Sequence, residues 1–296
     1  MLTYEIRTDD KITAAASGRM ITPAEAEDIH RWRKVEKTGE RITVAVMDSG
    51  IDENVAANHP WFDGAELTKQ YDATGGRAGE DEVGHGTGCA SIIANSTDEI
   101  ELYDVRIFGD TGASSGFRPI QKAYQWLVRH ADEIDVVNMS WGGQQDVPQI
   151  NNLHEKLVRE DVYDVVAAGN TGGDGGSPAT SRKAFSAGAI DEQEDPTRFS
   201  SFDPEKGNPD VAAVGQNVKM ARANGTAMGT PLDDQFVKSS GTSFAAPYVA
   251  AAYVNALYHD RKDWDGRFMD TGTDIPGTPK DGGGILRLED ALSKKT

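Results

Sequence analysis

The sequence predicts a single α/β domain, built on a central and mostly parallel β-sheet with helices on both faces. Short apolar runs of strand length alternate with longer segments of helical periodicity through most of the 296 residues. This length suffices for one large domain, and neither an internal repeat nor a change of composition marks a boundary. In such folds right-handed crossovers leave helices on both faces, and ligands bind where the strands end.

The apolar runs predict the elements in order. A helix begins after the N-cap Thr22, with Pro23 first and Glu25 three residues on, and is predicted to reach about Lys37. Strands are predicted at residues 42–47, 102–108, 134–139, 163–168, 185–190 and 211–214. Helices are predicted at residues 85–95, 120–130, 147–160 and 289–294, and one begins at Thr242 or Ser243. Residues 260–284 are rich in Asp and Gly and predict a surface loop.

Ser243 stands between small residues and an Ala-rich apolar run long enough for a buried helix. At a helix start, a serine hydroxyl lies near unpaired backbone N–H groups and the positive end of the helix dipole. That environment suits a nucleophile whose attack creates an oxyanion. On this stretch alone, an ordinary N-cap serine explains the pattern equally well.

Asp48 and His85 stand at comparable points of the predicted fold. Asp48 follows the strand 42–47 in an Asp-Ser-Gly turn, and His85 lies between two glycines at the start of an apolar helix. Taken singly, each has an ordinary explanation: the aspartate is typical of a turn, and a histidine in a glycine loop is usually just exposed. The case for a site depends on their occurring together with Ser243.

The combined pattern resembles the subtilisin-like serine protease family, in which the catalytic residues follow the chain order Asp, His, Ser. Asp48, His85 and Ser243 have that order. The matching segments, in family order, are residues 48–50, 84–87, 138–143, 167–170 and 241–247. They lie within residues 42 to about 257, which is most of the chain. One such motif is weak, whereas five in order are specific.

The resemblance implies a serine endopeptidase that hydrolyses extended polypeptides through an acyl-enzyme. Ser243 is then the nucleophile, His85 the general base, and Asp48 the group that orients the histidine. Asn170 and the N–H of Ser243 are expected to form the oxyanion hole. The remaining histidines have no such context and are predicted to be surface or packing residues.

The resemblance also implies a cleft that the substrate enters as an added β-strand. The substrate-binding residues it predicts are Gly112, Phe117, Ser140, Trp141, Gly142, Ala168 and Gly169. Trp141 replaces a smaller apolar residue common in the family. It is interpreted either as a wall of a subsite or as a core residue, and the sequence does not decide between them.

Cys89 lies four residues after His85 on a predicted helix, hence on the same face. This resembles the branch of the family that has a cysteine here, and we interpret it as a buried thiol and not a nucleophile.

The chemistry requires no cofactor. Relatives often insert a calcium-binding loop after the histidine helix, but only residues 96–99 stand there in this chain, so calcium is left open and no metal ligands are assigned.

The composition is acidic, with 48 Asp and Glu against 30 Lys and Arg, for a net charge of −18. This argues against nucleic acid or an anionic membrane as partners and is compatible with a salt-rich environment.

No membrane-length apolar stretch and no signal peptide are visible, and one cysteine excludes an internal disulfide. We expect a monomer, cytoplasmic if the sequence is complete and secreted if a leader was removed.

Residues 1–20 are interpreted as an N-terminal extension, either a short pro-segment or a tail with an edge strand, and residues 21–296 as the peptidase domain.

Two other functions are considered: a dedicated maturation protease for one partner protein, and a non-catalytic binding protein on the same fold. A binding protein would be expected to lose Asp48, His85 or Ser243, and none is lost. A serine esterase would place its histidine after its serine, contrary to this order.

Overall fold

The computed structural model describes residues 4–5, 19–32, 41–109, 114–203, 205, 207–259, 263–274 and 282–294. Its centre is a seven-stranded sheet in which all neighbouring strands are parallel. This confirms the predicted α/β class.

The bounds of the elements are as follows. The strands are β1 (Tyr4–Glu5), β2 (Ile42–Asp48), β3 (Ala65–Asp72), β4 (Ile100–Arg106), β5 (Ser114–Ser115), β6 (Val136–Met139), β7 (Tyr163–Ala167), β8 (Ser186–Ile190), β9 (Val211–Val214), β10 (Val218–Ala221), β11 (Thr230–Pro231) and β12 (Phe236–Ser239). The helices are α1 (Pro23–His30), α2 (Glu53–Asn58), α3 (His85–Ser96), α4 (Phe117–Arg129), α5 (Pro148–Val158), α6 (Thr242–Leu257), α7 (Trp264–Thr271) and α8 (Leu288–Ser293). Short 3₁₀ turns occupy Pro60–Phe62 and Ala131–Glu133.

The strand order across the sheet is β3-β4-β2-β6-β7-β8-β9, so β2 lies inside the sheet between β4 and β6. Alternate side chains of β2 enter opposite cores: Val44 and Val46 lie in one cluster, and Ala45 and Met47 in the other. This is the two-sided burial expected of a parallel sheet. The sheet therefore delivers the residue after Met47, which is Asp48, at the end of a strand covered on both faces.

Helices α3 and α6 contribute to the first core, and α4 and α5 to the second. Every residue of α6 from Thr242 to Ala256 is buried. The run of alanines explains this burial, because small side chains let the helix pack against α3 and the sheet at once. The structure thus brings the N-terminal ends of α3 and α6 close to the same edge of the sheet.

Two predicted elements differ from the structure. The first helix has the predicted Thr22–Glu25 capping box, but it ends at His30 because Arg31 adopts a left-handed conformation with φ of 51°. The prediction of a continuous helix to Lys37 is therefore wrong, and residues 33–40 lie outside the described residues.

The predicted surface loop at 260–284 contains the helix α7. Its residues Trp264, Arg267 and Phe268 are buried, and their spacing puts them on one face. The abundant Asp and Gly of this segment concealed a short amphipathic pattern.

Among the described residues, no helix combines the length and apolar character needed to cross a membrane.

Candidate active site

The centre of the site is a hydrogen bond between the end of β2 and the start of α3. His85 Nδ1 lies 2.8 Å from Asp48 Oδ1, and both side chains are fully buried. The backbone N–H of Ser49 donates to the same oxygen at 2.7 Å. Because Asp48 Oδ1 acts as acceptor for His85, the bond fixes the tautomer with the proton on Nδ1 and leaves Nε2 as the basic nitrogen.

A second carboxylate, Asp81, positions the start of α3. Its Oδ1 accepts from Ser49 Oγ at 2.8 Å and from the N–H of Gly84 at 2.7 Å. Its Oδ2 accepts from Thr87 N at 2.9 Å and from Thr87 Oγ1 at 2.7 Å. Asp81 thereby ties the turn after Asp48 to the helix that carries the histidine. Sequence analysis missed this role, since the run Glu80–Glu82 is typical of an exposed acidic loop.

Glycine is required beside the histidine because the two segments approach closely. A Cβ at Gly86 would lie 2.2 Å from the carbonyl oxygen of Gly50. The N–H of Gly86 donates to Ser49 Oγ at 2.9 Å. The glycines of the histidine motif thus allow contact between the turn after β2 and the first turn of α3.

The electrostatics of the pair stabilise the imidazolium that forms when His85 accepts a proton. Burial by itself lowers the pKa of His85, but the charge of Asp48 and its hydrogen bond outweigh burial, so the pKa stands well above the usual value. The other ring nitrogen, Nε2, is buried and has no hydrogen-bond partner within the described residues. His85 is therefore fixed through Nδ1, while its Nε2 makes no hydrogen bond within the described residues.

Ser243 is the second residue of α6, whose N-cap is Gly241. The first turn of α6 lies beside the histidine: the ring of Phe244 is 5.3 Å from the His85 ring, centroid to centroid. Only 5% of Ser243 is exposed. Its hydroxyl makes no hydrogen bond with Nε2 of His85, whose ring nitrogen is unpaired. Such bonds are commonly loose without substrate and tighten in the complex.

Asn170 is oriented by the first residue of α6. Its Oδ1 accepts from Thr242 N at 2.9 Å and from Thr242 Oγ1 at 3.0 Å. Since the amide oxygen faces Thr242, the NH₂ group lies on the other side, 3.3 Å from where a Cβ of Gly241 would stand. The N–H of Gly169 donates to the same Thr242 hydroxyl at 3.1 Å. The structure thus brings Asn170 to the helix start that carries Ser243.

The predicted substrate-binding residues fall into distinct groups. Trp141 is 1% exposed and packs edge-to-face with Tyr124 at 6.4 Å, which favours the packing alternative over a subsite wall. Ser140 and Ala168 are buried as well, whereas Gly142 and Gly169 are partly exposed. Phe117 is the first residue of α4, and Gly112 lies outside the described residues.

One cluster within the described residues has the donors for a metal. Ligand atoms of Asp48, His85 and Cys89 all lie within 4.8 Å of one another, and all three residues are buried. Thiolate and imidazole together would suit zinc more than calcium. In this structure the Asp48 and His85 atoms are already used in their mutual hydrogen bond.

Sequence comparison agrees with the geometry. A model of the subtilase family matches residues 39–268. The chain is 30% identical over 235 residues to "Subtilisin-like protease 2" of Trichophyton verrucosum, an alignment that covers 75% of this chain and 52% of that protein. It is also 30% identical over 246 residues to the "Major intracellular serine protease" of Bacillus subtilis (strain 168), which covers 75% of this chain and 69% of that one. The chain thus spans about half the length of the fungal relative.

Two solved structures share the fold. The structure of a lanthipeptide protease superposes with a TM-score of 0.72 at 20% identity, covering 85% of this chain and 86% of that chain. The structure of the prenylagaramide maturation protease PagA superposes with a TM-score of 0.66 at 23% identity, covering 91% and 96%.

Proposed function

Because the chain belongs to the subtilase family, we propose that it is a serine endopeptidase with Ser243 as nucleophile, His85 as general base and Asp48 as orienting group. The observation that supports this most is the state of His85. Its Nδ1 is bound to Asp48 and its Nε2 is open beside the helix start that carries Ser243. These three residues and Asn170 supply a nucleophile, a base and oxyanion donors, so the proposed chemistry needs no cofactor.

In the proposed reaction, Ser243 Oγ attacks the carbonyl carbon of the scissile peptide bond while His85 Nε2 accepts the hydroxyl proton. When the tetrahedral intermediate collapses, the C–N bond breaks and His85 gives that proton to the leaving amine. An ester on Ser243 remains. Water then attacks the ester through the same base and releases the acid product.

The oxyanion is proposed to bind to the NH₂ group of Asn170 and the N–H of Ser243. Two hydrogen bonds from Thr242 hold the Asn170 amide in one orientation before the substrate arrives. A donor that is fixed in advance costs no reorganisation when the negative charge develops, which makes its bond stronger in the transition state than in the ground state.

The substrate is proposed to be an extended polypeptide. The edge strand β5 pairs antiparallel with another chain segment, β1, so its backbone can accept an added strand. Pairing through the backbone gives affinity with little selectivity, and the burial of Trp141 supports a packing role for that side chain. A dedicated maturation protease for a single partner is a narrower form of this proposal.

The proposal is tested with casein hydrolysis by the purified protein and its Ser243→Ala variant. The wild type should release peptides, and the variant should be inactive while keeping the wild-type unfolding transition. Hydrolysis at the wild-type rate by the variant would show that Ser243 is not the nucleophile.

A further inference from the structure

A proline in α6 leaves the backbone carbonyl of Ser243 without its usual helical partner. In an α-helix the C=O of residue 243 accepts from the N–H of residue 247. Residue 247 is Pro247, which has no N–H, and it lies inside the helix. A buried carbonyl without a partner is costly, so another donor is expected nearby.

That donor is the thiol of Cys89. Its S–H donates to the carbonyl oxygen of Ser243, with Sγ 3.4 Å from the oxygen. Cys89 is fully buried, and burial raises the pKa of its thiol, so the group keeps the proton that it donates. The bond joins α3 to the first turn of α6.

The same thiol also touches the histidine. Cys89 lies one turn after His85 on α3, and its Sγ is 3.8 Å from His85 Nδ1. A single side chain therefore contacts both the proposed base and the backbone of the proposed nucleophile. Ile93, the next residue along this face of α3, is a core residue with no polar side-chain atom.

We propose that Cys89 is a positioning residue, whose thiol sets the separation of His85 and Ser243 by binding the carbonyl that Pro247 leaves unpaired. The idea rests on the proposed function only in naming the atoms that are positioned. The thiol neither attacks substrate nor transfers a proton. Its loss shifts the helices relative to each other, and small misplacements of reacting groups slow catalysis strongly.

The first test compares Cys89→Ala, Cys89→Ser and the control Ile93→Val. Cys89→Ala removes the donor and should lower kcat about three- to tenfold with KM unchanged, because the substrate site is untouched. Cys89→Ser restores a donor and should recover most of the loss. Ile93→Val trims the same interface without touching the carbonyl and should leave kcat at the wild-type value. An equal loss in the Ala and Ser variants would overturn the hydrogen-bond role.

The second test restores the missing helical donor. Pro247→Ala supplies an N–H for the carbonyl of Ser243, so Cys89→Ala should cost little kcat in the Pro247→Ala background. A loss of the same size in both backgrounds would contradict the proposal, since the two substitutions would then act independently.

The same cycle is measured as unfolding midpoints in urea, with every protein in the Ser243→Ala background. There the downward shift caused by Cys89→Ala should be smaller when residue 247 is alanine. This readout does not depend on peptidase activity. If the wild-type protein cleaves nothing but the cycle shows the coupling, the proposed function fails and the inference stands, whereas additive midpoints would defeat the inference alone.

Discussion

Two buried His–Asp pairs lie on opposite faces of the sheet and invite comparison. In the first, His85 Nδ1 is 2.8 Å from Asp48 Oδ1. In the second, His154 Nε2 is 2.9 Å from Asp164 Oδ2, between α5 and β7. In both pairs the carboxylate also accepts a backbone N–H, from Ser49 in one and from Phe185 in the other.

The pairs differ in the second ring nitrogen. In His154, Nε2–H donates to Asp164, and Nδ1 lies 3.1 Å from the hydroxyl of Tyr124, whose proton it can accept. In His85, Nε2 has no hydrogen-bond partner within the described part of the chain. One histidine is therefore satisfied on both sides, and the other is satisfied on one.

This difference supports a structural role for the His154 pair and the proposed catalytic role of the His85 pair. A buried His–Asp bond by itself satisfies two polar groups in a core, which any stable fold must do. A general base needs in addition an open nitrogen that faces a nucleophile. The length of the His–Asp hydrogen bond therefore does not distinguish the two pairs. The hydrogen bonding of the second ring nitrogen does.

The largest expected effect comes from neutralising each carboxylate in turn. Asp48→Asn should lower kcat by about 10⁴-fold, because the amide favours the wrong tautomer of His85 and cannot stabilise its cation. The matched variant Asp164→Asn should keep kcat within about twofold while lowering the free energy of unfolding by about 1–3 kcal/mol. Rates on a peptide substrate and urea unfolding curves measure both. Comparable losses of kcat in two folded variants would remove the distinction between the pairs.

The next effect concerns Asn170, the proposed oxyanion donor. Asn170→Ala should lower kcat by about 10²–10³-fold with little change in KM, because its bond strengthens only in the transition state. Asn170→Asp is the matched control: it keeps an acceptor for Thr242 but lacks the NH₂ group, so it should lose kcat as well. A change confined to KM would instead identify Asn170 as a ground-state contact.

A third buried histidine, His30, differs from both pairs because its two ring nitrogens bond to backbone groups and not to a carboxylate. His30 Nδ1 donates to the carbonyl of Leu286 at 3.0 Å, and its Nε2 accepts from Val214 N at 3.2 Å. Burial, opposed by the Leu286 bond and assisted by the charge of Arg287, lowers the pKa of His30 to about 4. The native state therefore keeps His30 neutral at a pH where the unfolded chain takes up a proton.

Stability should consequently fall as the pH drops from about 6.5 to about 4, since the unfolded state alone binds the proton in that window. The full difference is about 3 kcal/mol. The measurement is the free energy of unfolding of wild type and His30→Gln across that range, where the variant should show a shallower slope. Parallel curves would mean that His30 does not titrate differently in the two states.

A smaller effect is expected from the N-terminal segment. Strand β1 pairs antiparallel with β5, with Tyr4 opposite Ser115, on the edge proposed to bind substrate. We propose that residues 1–20 act as a removable brake. Deleting them should raise the initial rate several-fold, and mass spectrometry of active enzyme should show a new N-terminus that the Ser243→Ala protein lacks. Unchanged masses with full activity would exclude the brake.

The sequence predicts the first pair and not the second, for a physical reason. Asp48 and His85 lie in local motifs whose glycines and turns are required by the close approach of two segments, so the pattern is visible in the chain. His154 and its tyrosine meet only through packing of α4, α5 and β7, and no local pattern encodes that contact. Asp81 was concealed in the same way, because an acid in a loop is buried only when the tertiary fold supplies five donors to it.

The activation of Ser243 by His85 is tested most directly by covalent labelling with a fluorophosphonate, followed by mass spectrometry to locate the adduct. Only a serine activated by an open histidine nitrogen reacts rapidly with this probe. An adduct is expected on Ser243 in the wild type and in His154→Ala, with strongly slowed labelling in His85→Ala and none in Ser243→Ala. An adduct on another residue, or labelling of Ser243 that depends on His154 and not on His85, would show that the His85 pair does not activate Ser243.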